Sequence, residues 1–357
     1  DNAGYLNLAD MYRASNSGIY GKMYHLINDY DAKTDSYGLM NTEEARNQYL
    51  QEAEFRNTNW FDLLFNNSIS QNHAISFSTG TEKASYYTSL SIMNDPGWTK
   101  KSEVKRYTAN VNALYHISKA LSLNLISNAS YRKQKAPGTL SSSVDPVSGE
   151  VKRDFDINPY SYALNTSRTL DPDAYYVRNY APFNILHELD NNYIDLNVTD
   201  LKFQGELKWK PIHKIELSAL GAYKTSMTTQ SHTIKDYSNQ AWAFRAMDDA
   251  TMRQANPWLY TDPENANTLP VSVLPVGGFY RETKYSMDSY DFRGTASYND
   301  VYNENHIFNF FGGMEINAVN RQRTWFNGVG MQYEMGMLPA YEYQYFKQGS
   351  EENAQYY

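Results

Sequence analysis

The sequence contains no cysteine, which excludes disulfides, thiolate nucleophiles and cysteine-held metals. No run approaches the ~18 apolar residues that a membrane-spanning helix needs, and mean hydropathy is -0.67. A membrane barrel stays open, because strands that alternate apolar and polar residues average out in any window. Charge of one sign is nowhere concentrated. The chain carries 32 Lys and Arg against 40 Asp and Glu, net -8, without the basic stripe that phosphate backbones require, so nucleic acid is not an expected partner. Also missing are His-Glu-x-x-His, Gly-x-Ser-x-Gly, the Walker loop and Gly-x-Gly-x-x-Gly, so no catalytic residue is assigned. The first residues, Asp1-Asn2-Ala3-Gly4, form neither a basic n-region nor an apolar h-region. For an exported protein this suits a mature chain or a fragment.

Tyrosine is abundant, with 32 residues in a chain that is 15% aromatic. Such content suits interfacial belts and sugar-facing surfaces alike. The most regular stretch is Arg106 to Arg132, where both halves alternate with period two, the repeat of a strand. Tyr107, Ala109, Val111, Ala113 and Tyr115 share one face, opposite Thr108, Asn110 and Asn112. After Ser118-Lys119-Ala120, a hairpin-sized break, Leu121, Leu123, Leu125, Ala129 and Tyr131 oppose Ser122, Asn124, Asn128, Ser130 and Arg132. Tyr107 and Tyr115 are eight residues apart, about 26 Å at ~3.3 Å per residue. With a strand tilt of roughly 40° the vertical span is about 20 Å, near the ~25 Å apolar band of an outer-membrane barrel. Taken alone, the ribbon fits a barrel and a soluble sandwich equally.

The connections separate the two. The same alternation recurs at Leu201–Trp209, Ile215–Tyr223, Tyr290–Tyr298 and Phe308–Ile316, with earlier strands at Ala74–Thr79 and Ser85–Met93. Short turns fall at Gly80–Lys83, Ser118–Ala120, Lys210–His213 and Asp300–Asn305, whereas long insertions run over about 134–193 and 226–283. Short turns at one end and long loops at the other are the pattern of a transmembrane barrel, and structureless loops of that length are rare in compact domains. The expected fold is therefore all-β, an antiparallel transmembrane β-barrel segment with long extracellular loops. Residues 1–70 form an extracellular, partly helical lead-in, with Asn41 and Glu44 as a capping pair. Barrel strands fill 71–320, and 321–357 is an extracellular loop. A helix over Ala241–Gln254 is expected to stop before Pro257.

Binding chemistry is expected in the loops. Tyr175, Tyr176, Trp242, Trp258 and Tyr260, with Trp98 on a shorter loop and Asp171 and Asp173 nearby, are the candidate ligand-binding residues: aromatics stack on a glycan or peptide while polar groups fix its orientation. Packing of these loops onto one another is the alternative. Asp171-Pro172-Asp173 also reads as an ordinary turn, His187-Glu188 as a solvated pair, and Asp248-Asp249 as a hydrated face. Asp29 and Asp31 begin like a calcium loop, but Lys33 occupies a ligand position. No cofactor or resident metal is expected, with calcium admitted in the loops or in a partner.

One dense set of motifs resembles a known family. Asn57-Thr58-Asn59-Trp60-Phe61-Asp62, Gln71-Asn72-His73, Ser76–Tyr87, Asn94-Asp95-Pro96-Gly97 and Lys105-Arg106-Tyr107-Thr108 are similar to the SusC/RagA family of TonB-dependent outer-membrane transporters. The sequence departs at Thr79, where the family usually has Gly, and at Pro96, often Glu. The resemblance implies a barrel of about 22 strands in the cell outer membrane, with outer-membrane lipid around it. It implies a SusD-like surface lipoprotein as lid, and TonB acting through an N-terminal plug region outside this chain. The cargo implied is an oligosaccharide or peptide. A soluble or surface-anchored glycan-binding β protein is the rival reading.

Overall fold

The computed structural model describes residues 18–138, 143–144, 151–152, 155–265, 267–303 and 306–340. Its centre is one antiparallel meander, in which each strand pairs with the next in the chain. The strands are β1 (Gln71–Gly80), β2 (Ala84–Asp95), β3 (Glu103–His116), β4 (Leu121–Pro137), β5 (Asn192–Ile212), β6 (Ile215–Ile234), β7 (Gly278–Tyr302) and β8 (His306–Gln332). A two-residue strand, Leu338–Pro339, folds back onto the end of β8. The all-β antiparallel expectation holds, and within the described residues the sheet is open rather than closed on itself.

Register shows which residues share a face. One row of partners runs Phe77, Thr88, Val111, Ser127, Phe203, Tyr223, Tyr290 and Ala318. Period two then places Tyr107, Leu125, Leu207, Leu217, Phe292, Phe310 and Met314 on that same side. This face is apolar and has no second layer among the described residues: Phe77, Leu125, Phe203, Phe292, Phe310 and Met314 are all exposed. Serine, asparagine, lysine and arginine dominate the opposite face. At the long-loop end, Tyr107 packs on Tyr131 with ring centroids 6.4 Å apart, and Tyr223 on Tyr290 at 5.0 Å. Near the short turns Tyr298 meets Phe310 at 6.3 Å. Tyr290 and Tyr298 repeat the eight-residue interval of Tyr107 and Tyr115, so the apolar face carries aromatic pairs at both of its margins.

The strands run further than their alternation suggests. β6 extends to Ile234, β7 begins at Gly278 and β8 continues to Gln332. The insertion expected over 226–283 therefore narrows to 235–277, and the loop expected from residue 321 begins as strand. Past the tyrosines the strand ends enter the cap, where Ile234, Phe279 and Val329 are buried in one apolar cluster, so period two no longer shows. Residues 1–17 of the lead-in and 341–357 of the final segment lie outside the described residues, as do Glu304 and Asn305 of the last turn.

At the long-loop end the sheet carries a cap. It comprises α1 (Ile19–Asn28), α2 (Glu43–Phe55), α3 (Trp60–Leu64), α4 (Pro159–Asn165), α5 (Ile185–Asn191), α6 (Asn239–Arg245) and α7 (Ala250–Ala255). The helix starting near Asn41 is capped by Thr42, whose side chain accepts from the Ala45 N–H, while Asn41 accepts from Arg46. The single helix expected over Ala241–Gln254 is two, because Asp249 accepts from the Met252 N–H and starts α7 afresh. Glycine permits the tightest approach. Gly330 has φ +67°, and a Cβ there would meet the Ala340 carbonyl oxygen, so no other residue fits where the chain turns back on β8.

Candidate functional site

The cap is built by pinning the N-terminal helices to the β4–β5 loop. Trp60 is buried, donates through its indole N–H to the Ser167 carbonyl at 3.0 Å and meets Tyr162 edge-on at 5.1 Å. Thr58 donates to the Leu170 carbonyl at 2.7 Å, and Arg56 to that of Thr169 at 2.9 Å. Around these bonds Leu64, Ile157, Leu170, Phe183, Ile185 and Leu189 form one buried cluster. Burial pushes the phenols of Tyr49 and Tyr162 up to about 12, since an anion there would be desolvated.

The β4–β5 and β6–β7 loops are locked to each other by buried polar groups. Glu188, only 1% exposed, accepts from the backbone N–H of Asn239 at 2.7 Å, at the first turn of α6. The Asn239 side chain donates in turn to the carbonyls of Arg178, Ala181 and Pro182. These fix the small hairpin formed by Tyr176–Arg178 and Ala181–Phe183. Asn256 bridges the Ala243 and Ala246 carbonyls at 2.8 Å each. Arg245 donates to the carbonyls of Gly277 and Asp236, and burial lowers its pKa. His187-Glu188 is thus not the solvated pair its sequence suggests. Burial arises from contacts made across the chain, and no local pattern marks it.

The candidate binding residues do not form one site. Tyr175 and Trp242 come together: Trp242 lies parallel to His187 with centroids 6.0 Å apart, and Tyr175 and Tyr237 approach its edges at 6.0 and 6.1 Å. Tyr175 and Tyr237 are exposed, which leaves an aromatic platform on the cap surface. Trp258 is packed against Phe155 at 4.6 Å and Phe244 at 5.8 Å, with Tyr180 at its rim. Trp98 sits apart, stacked on Phe65 at 4.9 Å and facing Tyr160. Tyr260 lies on a small hairpin with Val271 and meets none of these. Two of the expected aromatics, Trp258 and Tyr176, serve packing here.

Tyr176 is buried and its hydroxyl accepts from the Asp171 N–H at 2.9 Å. Asp171 accepts from the Asp173 N–H at 3.0 Å and pairs with Arg56 at 3.7 Å, which is the turn that Asp-Pro-Asp spells. Beside them opens a cleft of about 380 Å³, lined by Asn158, Ser161, Asn165, Tyr162, Arg178 and Phe183 among others. Arg178 lies over the Phe183 ring at 5.0 Å. Among the described residues no group of three or more metal-binding side chains occurs. Hydroxyls, amides, the Asp156 carboxylate, one guanidinium and open ring faces line the cleft, groups that can hold and orient a ligand.

A comparison with family models finds no match. Over 83 residues the chain is 33% identical to the TonB-dependent receptor P26 of Formosa agariphila, an alignment covering 23% of this chain and 8% of that receptor. The solved RagAB peptide transporter shares its fold with a TM-score of 0.54 at 17% identity, covering 84% of this chain and 30% of the transporter chain. For the RagAB peptide importer in its open-open state the TM-score is 0.53, with 94% of this chain and 34% of that one covered at 17% identity. The chain is therefore similar to a segment of SusC/RagA-type TonB-dependent transporters, in sequence over a short stretch and in fold over most of its length. It spans about a third or less of the length of these relatives.

Proposed function

We propose that this chain is part of the barrel wall and extracellular cap of a SusC-like, TonB-dependent importer in the outer membrane, one that takes up oligosaccharides or peptides. The observation that carries the reading is the apolar face of the meander. It is exposed across eight consecutive strands and bounded by Tyr107–Tyr131 and Tyr223–Tyr290 at one margin and Tyr298–Phe310 at the other. Apolar patches above a few hundred Å² need a cover, and aromatic girdles about 20–25 Å apart suit a bilayer. The segregation of short turns from the long capping loops supports the same orientation, with the cap outside the cell.

In this reading the eight strands belong to a barrel of about 22, and the polar face lines its lumen. The plug and the TonB contact belong to parts of the protein beyond this segment. The cap, with the Tyr175–Trp242 platform and the cleft beside Tyr162, meets the ligand or a SusD-like lipoprotein lid. The role is capture and passage, without bond chemistry. Like the RagAB transporter in fold, the protein would work with a partner; which partner and which cargo are part of the proposal.

This segment has no cysteine of its own, so single cysteines placed in it report on each face once any cysteine elsewhere in the protein is replaced. In whole cells and in outer-membrane vesicles, Val111→Cys and Phe292→Cys should resist a water-soluble maleimide, whereas Ser130→Cys, on the polar face, should react once the membrane is opened. Equal labelling of both faces, or recovery of the protein as a soluble monomer, would instead favour the soluble binding module.

A further inference from the structure

We infer that the lumen of this barrel selects an acidic oligosaccharide, one bearing carboxylates or sulfates; the inference rests on the importer reading, which assigns the polar face to the lumen. That face carries Arg106, Arg132, Lys202, Lys224, Arg321 and Arg323, placed there by register. They fall in three successive rows of the sheet. Arg106 and Arg132 are direct cross-strand partners, and their row continues through Val198 and Thr228 to Tyr285 and Arg323. Arg321 lies in the next row, and Lys202 faces Lys224 in the third.

No carboxylate among the described residues forms an ion pair with any of these six cations. Elsewhere on the sheet six other cations have a carboxylate partner, whereas Lys133 and Lys135 of β4 form no ion pair among the described residues. Lys105 pairs with Glu103, Lys208 with Glu206, Lys210 with Glu216, Lys214 with Asp300, Lys284 with Glu282 and Arg293 with Glu315. Asp200, in the middle row, is the acid that shares the band. Like charges held directly opposite each other across strands destabilise a sheet, and Arg106/Arg132 and Lys202/Lys224 are two such pairs. In a chain whose net charge is -8, an acid-poor band of six cations marks where an anion is held.

The rest of the band favours a sugar over a peptide. Between the cations lie hydroxyls and amides such as Thr108, Asn110, Asn128, Ser130 and Ser226, with Asn110 already donating to Ser89 at 3.1 Å. Beside them stand two lumen-facing rings, Tyr285 and Trp325, the latter 69% exposed, with the Arg323 guanidinium 5.5 Å and 5.9 Å from their centroids. Ring faces stack on pyranose faces, hydroxyls and amides answer sugar hydroxyls, and guanidinium groups fork onto carboxylate or sulfate. From β3 to β8 the band is five strand spacings wide, about 24 Å at ~4.8 Å each. That is an oligomer's length rather than a monosaccharide's.

The test is ligand binding by the intact detergent-solubilised protein, with four probes: an oligogalacturonide, a sulfated galactan oligosaccharide, neutral maltohexaose and a poly-glutamate peptide. At least one acidic oligosaccharide should bind, weaken as salt rises, and lose about tenfold in affinity in each of the variants R106Q/R132Q, K202Q/K224Q and R321Q/R323Q. The R106K/R132K variant should keep most of it. Equal binding of maltohexaose, tighter binding of the poly-glutamate peptide, or no binding of any probe would overturn the inference. So would variants that lose thermal stability at unchanged affinity, because the cations would then serve another part of the protein. Cysteine labelling of the two faces, run on the same preparations, tells failure of this inference from failure of the importer reading.

Discussion

Glu188 and Asn239 are 51 residues apart in sequence, and the carboxylate of the first accepts the backbone N–H of the second at 2.7 Å in the interior of the cap. One bond thereby joins the β4–β5 loop to the β6–β7 loop, at the helix end where a negative charge is favourable. Replacement by alanine strands a buried N–H, which costs about 1–3 kcal/mol. Glu188→Ala should expose both loops to limited proteolysis while leaving the sheet protected. Glu188→Gln, which keeps an acceptor oxygen, should lie close to the parent. Uniform resistance of Glu188→Ala would mean that the loops are held by apolar packing alone.

Adjacent tyrosines should behave oppositely. Tyr175 is exposed at the edge of the His187–Trp242 stack, whereas Tyr176 is buried with its hydroxyl accepting from Asp171. Tyr175→Ala should leave the melting temperature within a degree or so and weaken ligand capture, by up to about tenfold if the ring is a contact centre. Tyr176→Ala should lower stability by about 3–5 kcal/mol, as for other buried aromatics. Thermal unfolding and ligand titration on both variants check the contrast.

Alkali should loosen the cap first. Tyr49 and Tyr162 ionise near 12 in the folded protein, against an ordinary value of 10.0, because burial opposes the phenolate. The unfolded chain releases these protons at lower pH than the folded one. Their contribution to stability is thus whole below pH 10 and declines as pH rises toward 12. Tyr49→Phe with Tyr162→Phe should flatten that decline, as read by stability against pH. An unchanged slope would show that other groups set it.

How much of this was legible from residues alone depends on where the two sides of a strand face unlike surroundings. Val111 against Asn112 and Phe292 against Arg293 lie on opposite faces of the sheet, one apolar and one polar, so period two reveals both strand and face. Thr225–Ile234 and Arg321–Gln332 are strand as well, yet their far ends, at Ile234, Val329 and Met331, are buried under the cap rather than split between an apolar and a polar face, and no repeat marks them. The cap is less readable still. Trp258 and Trp242 look alike in sequence, and only packing against Phe155 and Phe244 makes the first structural. The cation band was hidden for a different reason: its members come from β3, β4, β5, β6 and β8, and register alone brings them together.

Neighbouring residues on β3 offer the sharpest test of what covers the apolar face. Val111 lies midway between Tyr107 and Tyr115 on the apolar side, and Asn112 follows it on the polar side. An arginine on the lipid face of a barrel costs about 2–4 kcal/mol at the bilayer midplane, falling to about 0–1 near the interfaces. Val111→Arg should therefore destabilise refolding into lipid by an amount in the upper range. Tyr107→Arg, at the margin, should lose less, and Asn112→Arg, facing water in the lumen, should lose almost nothing. The measurement is a urea titration of the lipid-inserted protein, followed by the shift between folded and unfolded bands on unheated gels. If a second protein layer covered this face, the ranking would follow burial in that layer and not distance from the tyrosines. Comparable losses at Val111 and Tyr107 would then be expected, and the bilayer reading would fail.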